Sequence, residues 1–260
     1  GHTFRLTPVG VYFGEGPGVT SPDPFFGGAG PERTGCIECG ECMTGCRHGA
    51  KNTLVKNYLH LAERAGVKIW DLTTVTNLRQ DASGDFELTL NKTHRLATNR
   101  PKTIRVRQVV VAAGALGTAR LLHRMKANGS LPNLSDLLGS LSRTNSESLL
   151  GVVARDDSTD FSQGAAITSS VFPDAQTHIE PVRYGKVSGF MGLLQSVLAS
   201  GSKGQAPNPM RLIASTLKNL PKLPNFYRLR DWPERTLILL VMQSRDNSIK
   251  TFLRGRKLTS

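Results

Sequence analysis

Apolar residues change their spacing several times along the chain, and each change marks an expected element. Leu54, Val55, Tyr58, Leu61, Ala62 and Ala65 recur at the period of one helix face. Asn52 is suited to cap that helix and Gly66 to stop it. Val67, Ile69 and residues 72–78 read as a strand, 81–85 as a turn. Phe86, Leu88 and Leu90 then alternate with polar residues, as do Ile104 and Val106, the pattern of half-buried strands. Residues 109–113 form an apolar run that predicts a buried strand. Gly114 and Gly117 break it, and residues 118–126 predict a helix with Leu121, Leu122 and Met125 inward. This order is that of an α/β domain carrying an inserted β meander.

Beyond Gly129 the pattern shortens. Residues 131–141 read as loop and short helix, 149–190 as several short strands, and 236–242 as a buried strand. Residues 200–235 are interrupted so often that no regular element is expected there. At the other end, residues 1–35 are crowded with glycine and proline, from Gly14 to Pro31, and read as a covering loop.

Composition adds a globular class: 260 residues, 38% hydrophobic and 20% charged. The longest apolar runs, 187–199 and 237–242, are too short to span a bilayer. Net charge is +13, much of it from residues 201–260, which hold Lys203, Arg211, Lys218, Lys222 and eight more basic residues. Such a region can attract nucleic acid or an anionic membrane. The chain lacks the basic, aromatic-interleaved pattern and the helix-turn-helix signal of nucleic-acid binders, so no nucleic acid is expected. The basic stretch reads as a solubilising surface or as one that pairs with acidic segments. The opening Gly1 has no basic-then-apolar leader after it, and nothing reports on targeting.

Four features carry candidate chemistry. The turn at Gly114, Ala115 and Gly117 joins an apolar run to a helix, where small residues admit a ligand's backbone approach and the helix N-terminus favours phosphate. The pattern G-x-G-x-x-G is not present between a strand and a helix, and Gly14-Glu-Gly-Pro-Gly18 has proline inside it. By itself the turn is equally a place of close packing. Cys36, Cys39, Cys42 and Cys46 have the spacing of a ferredoxin run and could hold an iron–sulfur cluster. In ferredoxins the fourth cysteine serves another cluster and precedes proline, whereas Arg47 follows here. Disulfides and buried thiols stay open as readings; zinc fits less well because its knuckles are usually separated by a longer spacer. His48, His60, His123 and His178 have no nucleophile beside them and read as ordinary histidines. Glu180 lies among apolar and aromatic residues, surroundings in which a carboxyl can serve proton transfer. It reads equally as a surface partner of Arg183.

Together these segments resemble the glucose–methanol–choline family of flavin oxidoreductases, and within it the bacterial cholesterol oxidase branch. The resemblance is carried by Thr34–Thr53, Asn57-Tyr-Leu59, Ala112–Leu122, Leu131-Pro-Asn-Leu134, Arg143–Glu147 and His178–Gly185. It implies a fold of α/β class with an α+β substrate part: a partial Rossmann-like FAD-binding domain over 36–128 and an antiparallel-sheet substrate domain over 129–260. It implies FAD as cofactor, and it places Asn52, Thr53, Val75, Gly114, Ala115, Gly117 and Asn145 against it. Glu180 falls at the active-site glutamate position, although Pro181 and Arg183 make the local match imperfect. The implied reaction is oxidation of a secondary alcohol, with a 3β-hydroxysteroid the expected substrate and oxygen or another acceptor taking the electrons. Residues 187–199 suit the wall or lid of an apolar pocket, or an ordinary core helix. Peripheral membrane contact and a cytoplasmic or membrane-peripheral location are expected, rather than secretion. The family's phosphate loop would precede Gly1, and its catalytic histidine and asparagine would follow Ser260. The chain is therefore expected to be an internal piece that binds FAD poorly and oxidises nothing alone. The rivals are an iron–sulfur electron-transfer or scaffold module and a sterol-binding protein without redox activity.

Overall fold

The computed structural model describes residues 3–93, 100–156, 158–199 and 209–260. In chain order the strands are β1 (Thr3–Leu6), β2 (Thr20–Ser21), β3 (Arg33–Thr34), β4 (Thr73–Gln80), β5 (Phe86–Lys92), β6 (Lys102–Val106), β7 (Ser148–Val153), β8 (Ser169–Asp174), β9 (Thr177–Val182), β10 (Thr236–Gln243), β11 (Phe252–Arg254) and β12 (Lys257–Thr259). The α-helices are α1 (Tyr58–Arg64), α2 (Gly114–Ala127), α3 (Pro209–Lys218), α4 (Leu223–Phe226) and α5 (Trp232–Arg235). The class is mixed α/β, and every described strand ladder is antiparallel. Among the described residues no helix is long and apolar enough to cross a membrane.

The chain forms two compact units, each discontinuous in sequence, whereas the expected segments 1–35, 36–128 and 129–260 are contiguous. One unit comprises Val67–Ser146 and Arg245–Ser260. Its centre is the meander β4-β5-β6, where alternation places Leu78, Leu88 and Leu90 on one face. Met125 of α2 completes this core, and its Sδ accepts the Leu78 N–H at 3.1 Å. A register shift between Val75 and Asn77 bends β4. Asn77 Oδ1 then accepts from Asn128 Nδ2 and Ser130 Oγ, tying the turn after α2 to the sheet.

Three expectations for this unit are corrected. Residues 109–113 are not a strand: they take no regular structure, and Val110 is 90% exposed. An apolar run becomes a buried strand only beside a partner that takes its peptide groups, and none pairs with it among the described residues. The strand expected from Val67 begins instead at Thr73, because Leu72 takes a left-handed φ of 45°. The helix expected from 118 starts at Gly114.

The other unit comprises Gly1–Gly66 and Glu147–Ser244. Its sheet is five-stranded in the order β1-β8-β9-β10-β7. Strand β10 falls where the apolar run predicts it, paired on both sides, although most of its residues are half-buried. The helix expected over 54–65 is split. A 3-10 turn covers Leu54–Lys56, and α1 begins only after Asn57, whose side-chain oxygen accepts the Tyr58 N–H. Asn57 is therefore the cap, not Asn52, and Leu54, Val55 and Tyr58 are exposed. Gly66, at φ 90°, does follow the helix end. Of residues 187–199, expected as lid or core helix, most fall in a kinked 3-10 run, Lys186–Leu194, with Phe190, Leu193 and Leu194 exposed. The region expected to lack regular elements holds α3, α4 and α5, while residues 200–208 lie outside the described residues.

Candidate functional site

The Gly turn opens the longest described helix, α2, of 14 residues. Gly114 has a φ of 70° and nothing within 4 Å of where a Cβ would stand. No side chain caps the helix: Thr118 Oγ1 turns back instead to accept the Ala113 N–H at 3.1 Å. The first-turn amides of α2 therefore carry the positive end of the helix dipole without an internal acceptor. They border a concavity of about 570 Å³ lined by Val111, Ala112, Gly114, Ala115, Thr118 and Leu122, with Gly139, Ser142 and Thr251 opposite. Gly139 sits at φ 80°, and a Cβ there would come within 2.2 Å of the Thr251 carbonyl oxygen. Ser142 and Thr251 share a 2.9 Å hydroxyl–hydroxyl bond. Beside them His123 Nε2 is buried without a hydrogen-bond partner.

Of the residues expected to meet a cofactor in this unit, Gly114 and Ala115 line the concavity. Gly117 faces the Ala113 methyl, which a Cβ would approach to 3.1 Å, so its smallness serves packing of the first turn. Val75 lies on β4 and packs its side chain against the Leu78–Met125 core, leaving only its backbone for a ligand. Asn145 is exposed in the loop before β7. That loop is held by an Arg143–Asp246 ion pair at 2.9 Å and by Asn247 donating to Ser146 Oγ at 3.0 Å.

In the other unit the four cysteines are all free and line one small pocket with Val11, Ile37 and Lys51. Cys39 bridges to Gly164, and the Gly164 N–H donates to the Glu38 carbonyl at 2.7 Å. Gly40, at φ 73°, has its Cα so close to the Ser162 carbonyl that a Cβ would stand 2.3 Å from it. Burial pushes the Cys36 thiol up, and the neighbouring thiols add to this against the opposing Glu38 amide. Burial acts in the same direction on Cys46, but amides of Lys51, His48, Ala50 and Gly49 outweigh it and hold that thiol below its ordinary value. Among the described residues no three His, Cys, Asp or Glu side chains converge on a single metal ion.

Asn52 and Thr53 follow this loop. Asn52 Oδ1 accepts from the fully buried Arg33 guanidinium at 2.8 Å and from Asn57 Nδ2 at 3.2 Å. Its side chain thus serves the loop's framework, while Thr53 precedes the 3-10 turn without a side-chain cap bond.

Glu180 lies on β9 opposite Leu240, with its side chain 14% exposed. Its Oε1 stands 3.3 Å from His178 Nε2, outside hydrogen-bond alignment. Residues two apart on a strand share a face, so the pairing follows from β9 itself. The His178 ring is stacked on Phe172 of β8, with centroids 4.6 Å apart, and Arg5 of β1 lies over that phenyl ring. Arg183, the expected surface partner of Glu180, is instead bonded to the Gln163 carbonyl.

Sequence reading treated His178 as ordinary, yet its i, i+2 spacing from Glu180 was the signal. It also passed over Arg33 and the amides of 48–51; neither has a pattern in sequence, because both acquire their role from folded backbone.

Residues 31–129 match the GMC oxidoreductase family. The chain is 49% identical over 267 residues to a cholesterol oxidase of Mycobacterium tuberculosis (strain H37Rv), covering 99% of this chain and 46% of the relative. It is 43% identical over 265 residues to a cholesterol oxidase of Acinetobacter baumannii, covering 98% of this chain and 47% of that relative. The chain thus spans about half the length of the curated relatives it matches.

Proposed function

We propose that this chain carries part of the FAD cradle and part of the substrate side of an oxidoreductase acting on a CH–OH group, with a sterol as the substrate class. The observation that carries the reading is the uncapped N-terminus of α2, open onto a concavity of small residues. The match of residues 31–129 to the GMC oxidoreductase family and the name of the relatives support it. FAD, when bound, supplies the hydride acceptor. Toward it this chain offers room and polarity: Gly114 and Ala115 let a ligand approach the backbone, and the α2 amides favour a pyrophosphate. Val75 is assigned through its backbone to the adenine end, Asn52 and Thr53 to the flavin-side loop, and Asn145 to a loop on the substrate side. Gly117 supports the turn. Glu180 is assigned as the base that takes the hydroxyl proton, with His178 placed to share it. Oxygen or another acceptor receives the electrons. Contact with a membrane surface, where sterols reside, belongs to the same reading. The face of α3 with Met210, Ile213 and Leu217 exposed is suited to it.

Quenching of FAD fluorescence by the chain tests the cradle. Ala115→Glu sets a carboxylate where the pyrophosphate is expected and should weaken FAD binding about tenfold or more, with thermal unfolding unchanged. Equal affinity of the two proteins for FAD would overturn the assignment.

A further inference from the structure

The flavin reading leaves the charge of the chain's second half unused. From Pro181 to Arg230 the sequence holds eight lysines and arginines and no aspartate or glutamate. We propose that this acid-free stretch, through the outward face of α3 and the adjoining segment that ends at Leu198, is a docking surface for a bilayer of anionic lipids. The surface extends the membrane contact of the flavin reading, rests on that reading, and adds to it the face used and the charge of the lipid.

The first support is the orientation of α3. A helix of a globular protein turns its apolar stripe inward and its polar side to water. Here the order is reversed. Met210, Ile213 and Leu217 follow the i, i+3, i+7 spacing of one stripe and are exposed, Met210 to 70%. Ser215 and Thr216 on the helix and Asn219 after it are the half-buried residues. Hydrogen bonds fix that side: Ser215 Oγ donates to the Leu198 carbonyl at 2.8 Å, and Asn219 Nδ2 donates to the Ser215 carbonyl at 2.8 Å. The fold thus uses the polar side of α3 and presents the apolar one.

The second support is continuity. The Ser215 bond sets Leu198, itself exposed, beside α3. The segment before Leu198 is anchored through Gln195. Its Nε2 donates to the Phe226 carbonyl of α4 at 2.6 Å, and its Oε1 accepts from Trp232 Nε1 of α5 at 3.0 Å. On this anchored segment Phe190 and Leu194 are also exposed, Leu194 to 78%. Large apolar side chains left outside on neighbouring, polar-bonded segments mark an interaction surface.

The third support is charge, which selects the occupant. Arg211 and Lys218 each follow a residue of the stripe by one position, which puts them on its flank. Lys222 and Arg230, further along the same acid-free stretch, are exposed. An interfacial helix has this pattern, with its apolar face in the acyl boundary and its cations against lipid phosphates. A protein partner would need acids set in register with these cations. A fluid bilayer supplies phosphates over the whole face without register, and each basic residue near its surface adds to the attraction.

The test is co-sedimentation of the 260-residue chain with sterol-free vesicles, either pure phosphatidylcholine or phosphatidylcholine containing about a third of phosphatidylglycerol. The chain should partition onto the anionic vesicles about tenfold or more tightly than onto the neutral ones, and added salt should reduce the difference. Leu217→Asp should weaken binding to the anionic vesicles several-fold. Joint Lys218→Gln and Lys222→Gln substitution should weaken it several-fold while leaving binding to neutral vesicles as it was. These positions are exposed, and circular dichroism identifies any variant that fails to fold; the wild-type preference between the two vesicles decides independently of them. Equal binding to both vesicles, binding to neither, or a Leu217→Asp variant that binds as tightly as the parent would each overturn the proposal. So would a concentration-dependent dimer in light scattering that Leu217→Asp abolishes, since a second copy would then be the occupant. The vesicles carry neither sterol nor FAD, so lipid docking that fails while FAD quenching persists removes this surface and leaves the cradle standing.

Discussion

The two compact units are stabilised by different kinds of interior. In the unit built on β4-β5-β6 and α2, the buried apolar side chains are Leu78, Leu88, Leu90 and Met125, and they form one cluster. In the unit containing the cysteine loop and the five-stranded sheet, the buried apolar residues are mostly small or scattered: Cys36, Ala50, Ala165, Ala166, Val182 and Trp232. Its largest fully buried side chain is Arg33, and Ser162, Ser188, Arg235 and Thr236 are buried with it. One interior is an apolar cluster; the other holds polar groups, of which Arg33 and Arg235 bond to both backbone and side chains while Ser188 Oγ and Thr236 Oγ1 lack a partner. An apolar core tolerates exchange among residues of similar volume. A polar interior depends on each donor meeting its acceptor, because an orphaned buried group costs its full desolvation. That places the candidate loops of residues 36–53 on a framework specified by geometry instead of volume.

Each unit has one tryptophan, Trp70 beside the meander and Trp232 in α5, so single-tryptophan variants report on each separately. The largest effect is expected for Arg33→Ala. It removes the donors to Asn52 Oδ1 and the Lys56 carbonyl and leaves a void, and it should destabilise the Trp232 transition by about 4 kcal/mol in denaturant unfolding. The Trp70 transition should hardly move. Leu88→Ala should do the reverse, costing about 3 kcal/mol at Trp70 through lost burial and the cavity left behind. If both substitutions shift both probes alike, the contrast between the interiors is wrong.

Asn57→Ala should cost the Trp232 transition about 1 kcal/mol, since it removes the α1 cap and the bond to Asn52. The smallest effect concerns pH. Burial would raise the Asp23 carboxyl, but amides of Phe25, Gly30, Phe26 and Gly28 outweigh it and hold the group below the usual carboxylate range. A folded-state value below the unfolded one adds stability above the unfolded value, and that stability is lost as pH falls through the folded one. Wild type should therefore unfold later than Asp23→Asn at neutral pH, with the gap closing under acid. A gap that widens on acidification would show the sign to be wrong.

The same contrast explains what was legible in the sequence. The meander and α2 were readable because an apolar core imprints its period on the residues that build it. Residues 109–113 carried an equally apolar signature, yet only Val109 and Val111 are half-buried against the core, because the run has no partner strand among the described residues. The helices α3, α4 and α5 were missed for a specific reason. Pro209, Pro224 and Pro233 were read as interruptions, whereas proline is at home in a helix's first turn, where no N–H is needed. In the loop unit, cysteine spacing was visible but the donors around it were not, since amides belong to every residue.

From the sequence alone came the mixed α/β class, the alternating strand β5, the apolar run of β10, the helix after Gly114, the thiol spacing and the family likeness. These depend on local period and residue type, which a linear chain displays. Only the tertiary structure decided that Asn57 caps α1, that Val75 turns its side chain into a core, and that Glu180 stands beside His178 on a strand backed by Phe172. It also decided that four cysteines share one pocket. Those outcomes depend on which segments fold against each other, and the direction a peptide group faces is set by the backbone path of its neighbours and not by its own side chain.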